Sequence, residues 1–306
     1  MSAADPRTLG GPLLRSVSRS FYLTIRLLPG KLRAPIGLAY LLARASDTIA
    51  DSTHAPAAAR RTHLANFRQM LRRGNDEGLP ALQTAISSEH PGERQLIARL
   101  GDALAWLRAQ PEFDRTAIIA VLEKIIHGQT LDLERFPGTA PIVTLPDAAA
   151  LEEYTYLVAG CVGEFWTQLC AHHLPRYSTL PLDELSPLGI DFGKGLQLVN
   201  ILRDLPADLA TGRSYLPGDP RTLFPEWLTR ATDLLDAGRR YIAALRPARV
   251  RAGCFLPWHL GVKTLALLAA QSPLDSPVRL KVPRSAVRRA LFLAPCAAFS
   301  NRLLAK

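Results

Sequence analysis

Residues 193–217 read G-K-G-L-Q-L-V-N-I-L-R-D-L-P-A-D-L-A-T-G-R-S-Y-L-P, and the fold and the chemistry are both read outward from them. Asn200, Asp204 and Asp208 stand four residues apart, so on a helix they line one face while Leu198, Ile201, Leu202 and Leu205 point elsewhere. Three oxygen donors projecting together suit a hard divalent cation such as Mg²⁺, with Mn²⁺ as its substitute, held through few protein groups plus substrate phosphates. Arg203 and Arg213 are the guanidiniums expected to grip those phosphates. A solvated polar stripe has the same spacing, so one D-x-x-x-D decides nothing by itself. Pro206 removes a backbone donor between the two acids, and a kink there would leave Asp208 less firmly aimed than Asp204.

A second acidic motif changes the balance. Residues 40–51 read Y-L-L-A-R-A-S-D-T-I-A-D, with Asp47 and Asp51 again four apart and Arg44 one turn before Asp47. Two such helices facing each other would bring four carboxylates into one cleft, and their repulsion in a low dielectric calls for cations and a polyanionic substrate.

The chain has 306 residues and a net charge of +10, enough for one large all-α domain spanning 1–306, with diphosphates or an anionic membrane surface as the partners that charge favours. The charge fits nucleic acid as well, but no basic run interleaved with aromatics marks a nucleic-acid face, so nucleic acid ranks last and none is expected as a partner. Cys161, Cys170, Cys254 and Cys296 are scattered and read as reduced thiols rather than a zinc site or a disulfide framework. The N-terminus lacks the apolar core of a signal peptide, and no uncharged run reaches the ~20 residues of a membrane span. A cytoplasmic protein is expected. The segment 290–304, preceded by Arg288 and Arg289, is the candidate for peripheral contact with the inner face of the membrane, with a terminal core helix as the commoner reading.

Helical periodicity dominates elsewhere. Ser18, Arg19 and Ser20, in S-V-S-R-S-F at 16–21, would offer hydroxyls and a guanidinium to phosphate oxygens near a helix start, or simply cap it. Pro35 is expected to open the helix carrying Asp47 and Asp51. Residues 55–95 suggest no chemistry. Helices are predicted over 94–110, 116–136, 151–169, 227–245 and 253–270, with loops at 137–146 and 175–187. Gln129 and Asp132 are further candidates for the acidic cleft. Ala159, Gly160 and Gly163 allow close approach of a helix or ligand. Tyr154, Tyr156, Phe165 and Trp166 would stabilise a cation over their rings or serve as plain core. There is no G-x-G-x-x-G after a strand, no Walker A run and no G-x-S-x-G.

In order and spacing these motifs resemble the squalene/phytoene synthase family of head-to-head prenyltransferases, over about residues 16–291. The likeness rests on S-R-S-F (18–21), the 40–51 motif, Y-T-Y-L-V-A-G-C-V-G (154–163), and N-I-L-R-D-L-P-A-D (200–208) followed by G-R-S-Y-L-P (212–217). It implies a single-domain isoprenoid-synthase helical bundle around a central cavity, its two acidic motifs facing each other. On that resemblance Asp47, Asp51, Asn200, Asp204 and Asp208 hold Mg²⁺. Ser18, Arg19, Ser20, Arg44, Arg203 and Arg213 bind prenyl diphosphate, and Arg44, Tyr154, Tyr156 and Arg203 are catalytic. Leu157 stands where some squalene synthases have a further tyrosine. The implied reaction ionises one prenyl diphosphate, adds the allylic cation to a second chain and closes a cyclopropylcarbinyl diphosphate. The stretches 254–267 and 278–285 resemble the squalene synthase branch, which implies condensation of two farnesyl diphosphates through presqualene diphosphate and reduction by NADPH, with Lys281 and Arg284 meeting the NADPH phosphates. Without reduction the same chemistry yields presqualene diphosphate, dehydrosqualene or phytoene; a non-catalytic assembly protein is the remaining reading. Unlike eukaryotic members, the sequence shows no C-terminal anchor, and a soluble or peripheral enzyme is expected.

Overall fold

The computed structural model describes residues 8–18, 21–52, 54–136, 141–276 and 279–304. Among the described residues the chain is all-α apart from one two-residue strand pair, as its periodicity predicts. The residues group into two compact units, Met1–Glu134 and Arg135–Lys306.

The first unit contains α1 (Leu14–Ser18), α2 (Phe21–Leu27), α3 (Gly30–Ala50), α4 (Ala57–Arg73), α5 (Leu79–Ala85), α6 (Pro91–Ala98), α7 (Leu100–Arg108) and α8 (Glu112–Arg135), whose last residue opens the second unit. α3 packs against α4, α6 and α7 and buries Leu32, Leu38, Leu41, Leu42 and Ile49 completely, each burial being worth about 2 kcal/mol. The helix starts five residues before the expected Pro35. Pro29 caps it in an extended conformation, and Pro35, still near the N-terminus, forfeits only the bond to the Lys31 carbonyl. Asp51 is the C-cap residue, its N–H donating to the Asp47 carbonyl at 2.8 Å. Arg60 Nη1 donates to Ala50 O at 2.6 Å and closes the same end. The predicted 94–110 helix is two helices, because Arg99 (φ −103°, ψ 17°) leaves the helical region.

The second unit contains β1 (Val143–Thr144), α9 (Ala148–Thr155), α10 (Cys161–His173), α11 (Leu182–Ala210), β2 (Arg213–Ser214), α12 (Pro220–Ala244), α13 (Ala248–Ala270) and α14 (Arg284–Ala297). β1 and β2 pair in parallel, Val143 with Arg213 and Thr144 with Ser214. A π-helical turn, Tyr156–Gly160, separates α9 from α10, so the predicted 151–169 helix is rewound where its motif lies. α11 contacts α10, α12, α13 and β2. It begins inside the predicted 175–187 loop and continues through Pro187 and Pro206; Pro206 is exposed and stands near the C-terminal end of the helix.

Glycines set the closest contacts of α11. A Cβ on Gly163 would lie 1.9 Å from the Gly189 carbonyl oxygen, and one on Gly193 would lie 2.3 Å from that of Ala159. The small residues of the 154–163 motif therefore serve helix packing, as does the first glycine of G-K-G. α13 is long and apolar enough to cross a membrane by length and composition, although the sequence showed no uncharged run of that length. Mean hydropathy tolerates its Arg251 and Lys263. Arg251 is buried and donates to the carbonyls of Ile242 at 2.9 Å and Leu245 at 3.0 Å, and Trp258 Nε1 donates to Leu235 O at 2.9 Å. These bonds tie α13 to α12 as a core helix.

Candidate active site

The two acidic motifs lie in different units and have different surroundings. In the first, Arg44 Nη1 is 3.7 Å from Asp47 Oδ2, but Arg44 Nη2 donates to Glu93 Oε1, and the Ser88 hydroxyl donates to Glu93 Oε2 at 2.7 Å. Glu93 thus fixes the arginine that stands one turn before Asp47. Asp47 Oδ1 accepts from Gln129 Nε2 at 2.6 Å. Burial, and next the charge of Asp51, raise the Asp47 carboxyl to about 7 against the pull of Arg44 and Gln129. Its side chain nonetheless remains 44% accessible, so the carboxyl is crowded by protein yet meets solvent, which moderates the shift. Glu93 is held below the usual carboxylate range: burial opposes this, but Ser88 and Arg44 prevail.

The second motif is saturated with guanidinium. Arg203 donates to its neighbour Asp204 through Nε at 2.9 Å and Nη2 at 2.6 Å. Arg279 reaches the same carboxylate from the segment before α14, Nε at 2.8 Å and Nη2 at 2.5 Å from Oδ1. Burial pushes Asp204 up, yet these two arginines hold it below its ordinary value. Asp208 is 13% accessible and accepts from Arg213 Nε at 3.0 Å. The β1–β2 pairing fixes the backbone of Arg213. Asn200 is exposed on α11, one turn before Asp204.

Tyr154 stacks on Tyr215 at 4.8 Å between ring centroids, and Phe136 meets the edge of Tyr215 at 5.1 Å. The Tyr156 hydroxyl donates to Glu164 Oε2 at 3.0 Å. Leu157 is buried. Lys194 pairs with Glu152, which also accepts from Arg230 at 3.0 Å. Lys281 and Arg284 are exposed, in the segment that delivers Arg279 and at the start of α14. Ser18 is buried and donates to Leu14 O at 2.5 Å within its own helix, whereas Arg19 and Ser20 lie outside the described residues.

Reading the sequence missed Glu93 and Arg279. Glu93 belongs to the 55–95 region assigned no chemistry; its only signal is an acid in the first turn after Pro91. Arg279 is two residues before Lys281, and nothing in its neighbourhood marks a long-range partner. Gln129 was a candidate, and it does reach Asp47.

The fit to a divalent cation differs between the motifs. At the first, a carboxyl raised by burial and by a second acid, beside the buried and unpartnered Gln129 Oε1, is short of positive charge and offers hard oxygen donors. At the second, the donors are equally hard, but arginines already neutralise them. Among the described residues no group of three or more His, Cys, Asp or Glu is assembled to hold a metal ion.

Residues 14–224 match the model of the squalene/phytoene synthase family. The chain belongs to that family. It is 34% identical over 210 residues to the bifunctional lycopene cyclase/phytoene synthase of Pyrenophora tritici-repentis, covering 67% of this chain and 33% of that protein. It is 29% identical over 215 residues to its counterpart from Blakeslea trispora, covering 70% and 33%. The chain thus spans about a third of the length of these curated relatives. Among solved structures, TcSQS in complex with the ligand BPH1237 superposes with a TM-score of 0.78 at 21% identity, covering 96% of this chain and 87% of that one. Squalene synthase HpnC from Alicyclobacillus acidocaldarius gives 0.61 at 20% identity, covering 87% and 94%. These structures share the fold, and the family is one of prenyltransferases.

Proposed function

We propose that the chain catalyses Mg²⁺-dependent head-to-head condensation of two prenyl diphosphates, with farnesyl diphosphate as substrate and squalene as product after reduction of presqualene diphosphate by NADPH. The observation that carries this reading is the pairing of one charge-deficient acidic motif with one arginine-saturated motif inside the matched family region. Asp47 and Asp51 in the first unit, and Asn200, Asp204 and Asp208 in the second, are each proposed as metal ligands, and the metal when bound would supply Lewis-acid stabilisation of the departing diphosphate. Arg203 and Arg213, fixed by Asp204 and Asp208, present positive charge to diphosphate oxygens. Arg44, braced by Glu93, does the same beside Asp47. The stacked Tyr154 and Tyr215 offer ring faces to an allylic cation. Lys281 and Arg284 are the cations proposed for NADPH, and their exposure suits phosphate groups. Because the product is apolar, the proposal includes delivery at a membrane surface.

A second reading omits the reduction and yields presqualene diphosphate, dehydrosqualene or phytoene. It draws support from the phytoene synthases among the curated relatives. Product analysis of purified protein with farnesyl diphosphate and Mg²⁺, with and without NADPH, separates the two. The proposal expects squalene only with NADPH and presqualene diphosphate without it. Presqualene diphosphate or dehydrosqualene under both conditions, or phytoene from geranylgeranyl diphosphate alone, would replace it by the second reading.

A further inference from the structure

The last helix carries a surface that the proposed chemistry leaves unused. α14 buries Ala290, Ala294 and Ala297 and turns Arg284, Arg288, Arg289, Phe292, Pro295 and Cys296 to solvent. At 3.6 residues per turn that exposed set falls within an arc of about 140°, and Phe299 continues its line past the helix end. Phe292 is 80% and Phe299 85% exposed, against 51% for the next most exposed large hydrophobic, Ile142. The face is also firmly held: Arg251 Nη2, from α13, donates to Asn301 Oδ1 at 2.6 Å and to Ala297 O at 3.4 Å.

Charge selects the occupant. From residue 276 to the end the sequence contains Arg279, Lys281, Arg284, Arg288, Arg289, Arg302 and Lys306 but no Asp or Glu. On α14 the arginines occupy the N-terminal half of the exposed face and the aromatics follow. This is the pattern of a helix lying in a lipid interface, its rings at the headgroup–acyl boundary and its guanidiniums at anionic headgroups. A second copy docking by the same face would set arginines against arginines with no carboxylate between them.

We propose that α14 and the turn after it dock the protein on an anionic membrane, with Phe292 and Phe299 inserted and Arg288 and Arg289 meeting lipid phosphates. The inference deepens the proposed delivery of an apolar product but rests on this surface alone, and its test needs no substrate.

Cys296 is the exposed cysteine, while Cys161, Cys170 and Cys254 are buried, so the intact protein can be labelled at Cys296 with a polarity-sensitive fluorophore. It is titrated with phosphatidylcholine vesicles with or without phosphatidylglycerol, and binding is checked independently by co-sedimentation of unlabelled protein. The proposal expects a blue shift and co-sedimentation only with phosphatidylglycerol, weakened by salt and reduced about tenfold or more in R288Q/R289Q and in F292S/F299S. These side chains are exposed, so circular dichroism should remain that of the wild type. Equal binding to neutral vesicles, binding to neither, or undiminished binding by both variants would overturn it. So would self-association abolished by F292S/F299S without any lipid binding, which would assign the face to a second copy.

Discussion

The two acidic motifs share one spacing and have opposite electrostatics. Around Asp47 the nearest guanidinium is drawn off to Glu93, a neutral amide is the close donor, and the carboxyl rises to about 7. Around Asp204 two guanidiniums converge on one carboxylate and hold it low despite burial. The number of arginines each carboxylate keeps, rather than D-x-x-x-D itself, sets what each motif needs: the first has only an arginine shared with Glu93, and the second must exchange one to take up a metal.

Removing either motif should have the largest effect. Asp204→Ala and Asp47→Ala are each expected to lower kcat/KM for farnesyl diphosphate at least about 10³-fold, some 4 kcal/mol, as loss of a group serving the developing diphosphate charge does. Asp208→Ala should cost less, because its carboxylate holds Arg213 whereas that of Asp204 holds both Arg203 and Arg279. Near-normal steady-state turnover of the Asp204 variant would rule out a metal role for this motif.

The opposed carboxyl shifts predict opposite pH trends. A folded-state value near 7 for Asp47, above the unfolded carboxylate range, means that the folded protein binds the extra proton between about pH 4 and 7. Asp47 therefore costs stability progressively as pH rises through that window. Asp47→Asn should raise the melting midpoint by about 2–4 °C at pH 8 and much less at pH 5, after discounting for its accessible face. Asp204, held low, contributes stability at neutral pH that is lost as pH falls through its folded value, so Asp204→Asn should destabilise at pH 7 and less so in acid. Scanning fluorimetry from pH 3 to 8 reads both, and parallel trends would erase the distinction between the motifs.

The smallest effect sharpens the exchange. Arg279 is half exposed, so Arg279→Ala should change stability by under about 0.5 kcal/mol. If Arg279 competes with a cation at Asp204, Mg²⁺ affinity measured calorimetrically without substrate should rise about fivefold, which equals about 1 kcal/mol. Unchanged affinity would mean that the arginine does not compete.

Much of this was legible in the sequence because it is local. Helical periodicity gave the all-α class, and four-residue spacing placed Asp204 and Asp208 on one helix and Asp47 one turn from its C-cap Asp51. The bond from Gln129 to Asp47 was anticipated only as a candidate. What stayed hidden depends on long-range approach. Glu93 captures Arg44 across 49 residues, and Arg279 captures Asp204 across 75; neither leaves a periodic trace. Arg203 and Arg213 were read as free to grip phosphate, yet both spend donors on carboxylates. The prolines misled in the other direction: Pro35 and Pro206 suggested a start and a kink, while α3 and α11 run through them, each of these prolines standing near one end of its helix. Tyr156–Gly160 forms a π turn just before Gly163 meets Gly189, and packing between helices leaves no mark on sequence periodicity.

The most direct test of the account is diphosphate release from farnesyl diphosphate by the purified wild-type chain, followed continuously with a coupled pyrophosphatase, in Mg²⁺ and then in EDTA. Release that saturates with substrate, requires Mg²⁺ and is lost in Asp204→Ala is the predicted result. No release from farnesyl or geranylgeranyl diphosphate, or release indifferent to EDTA, would contradict it.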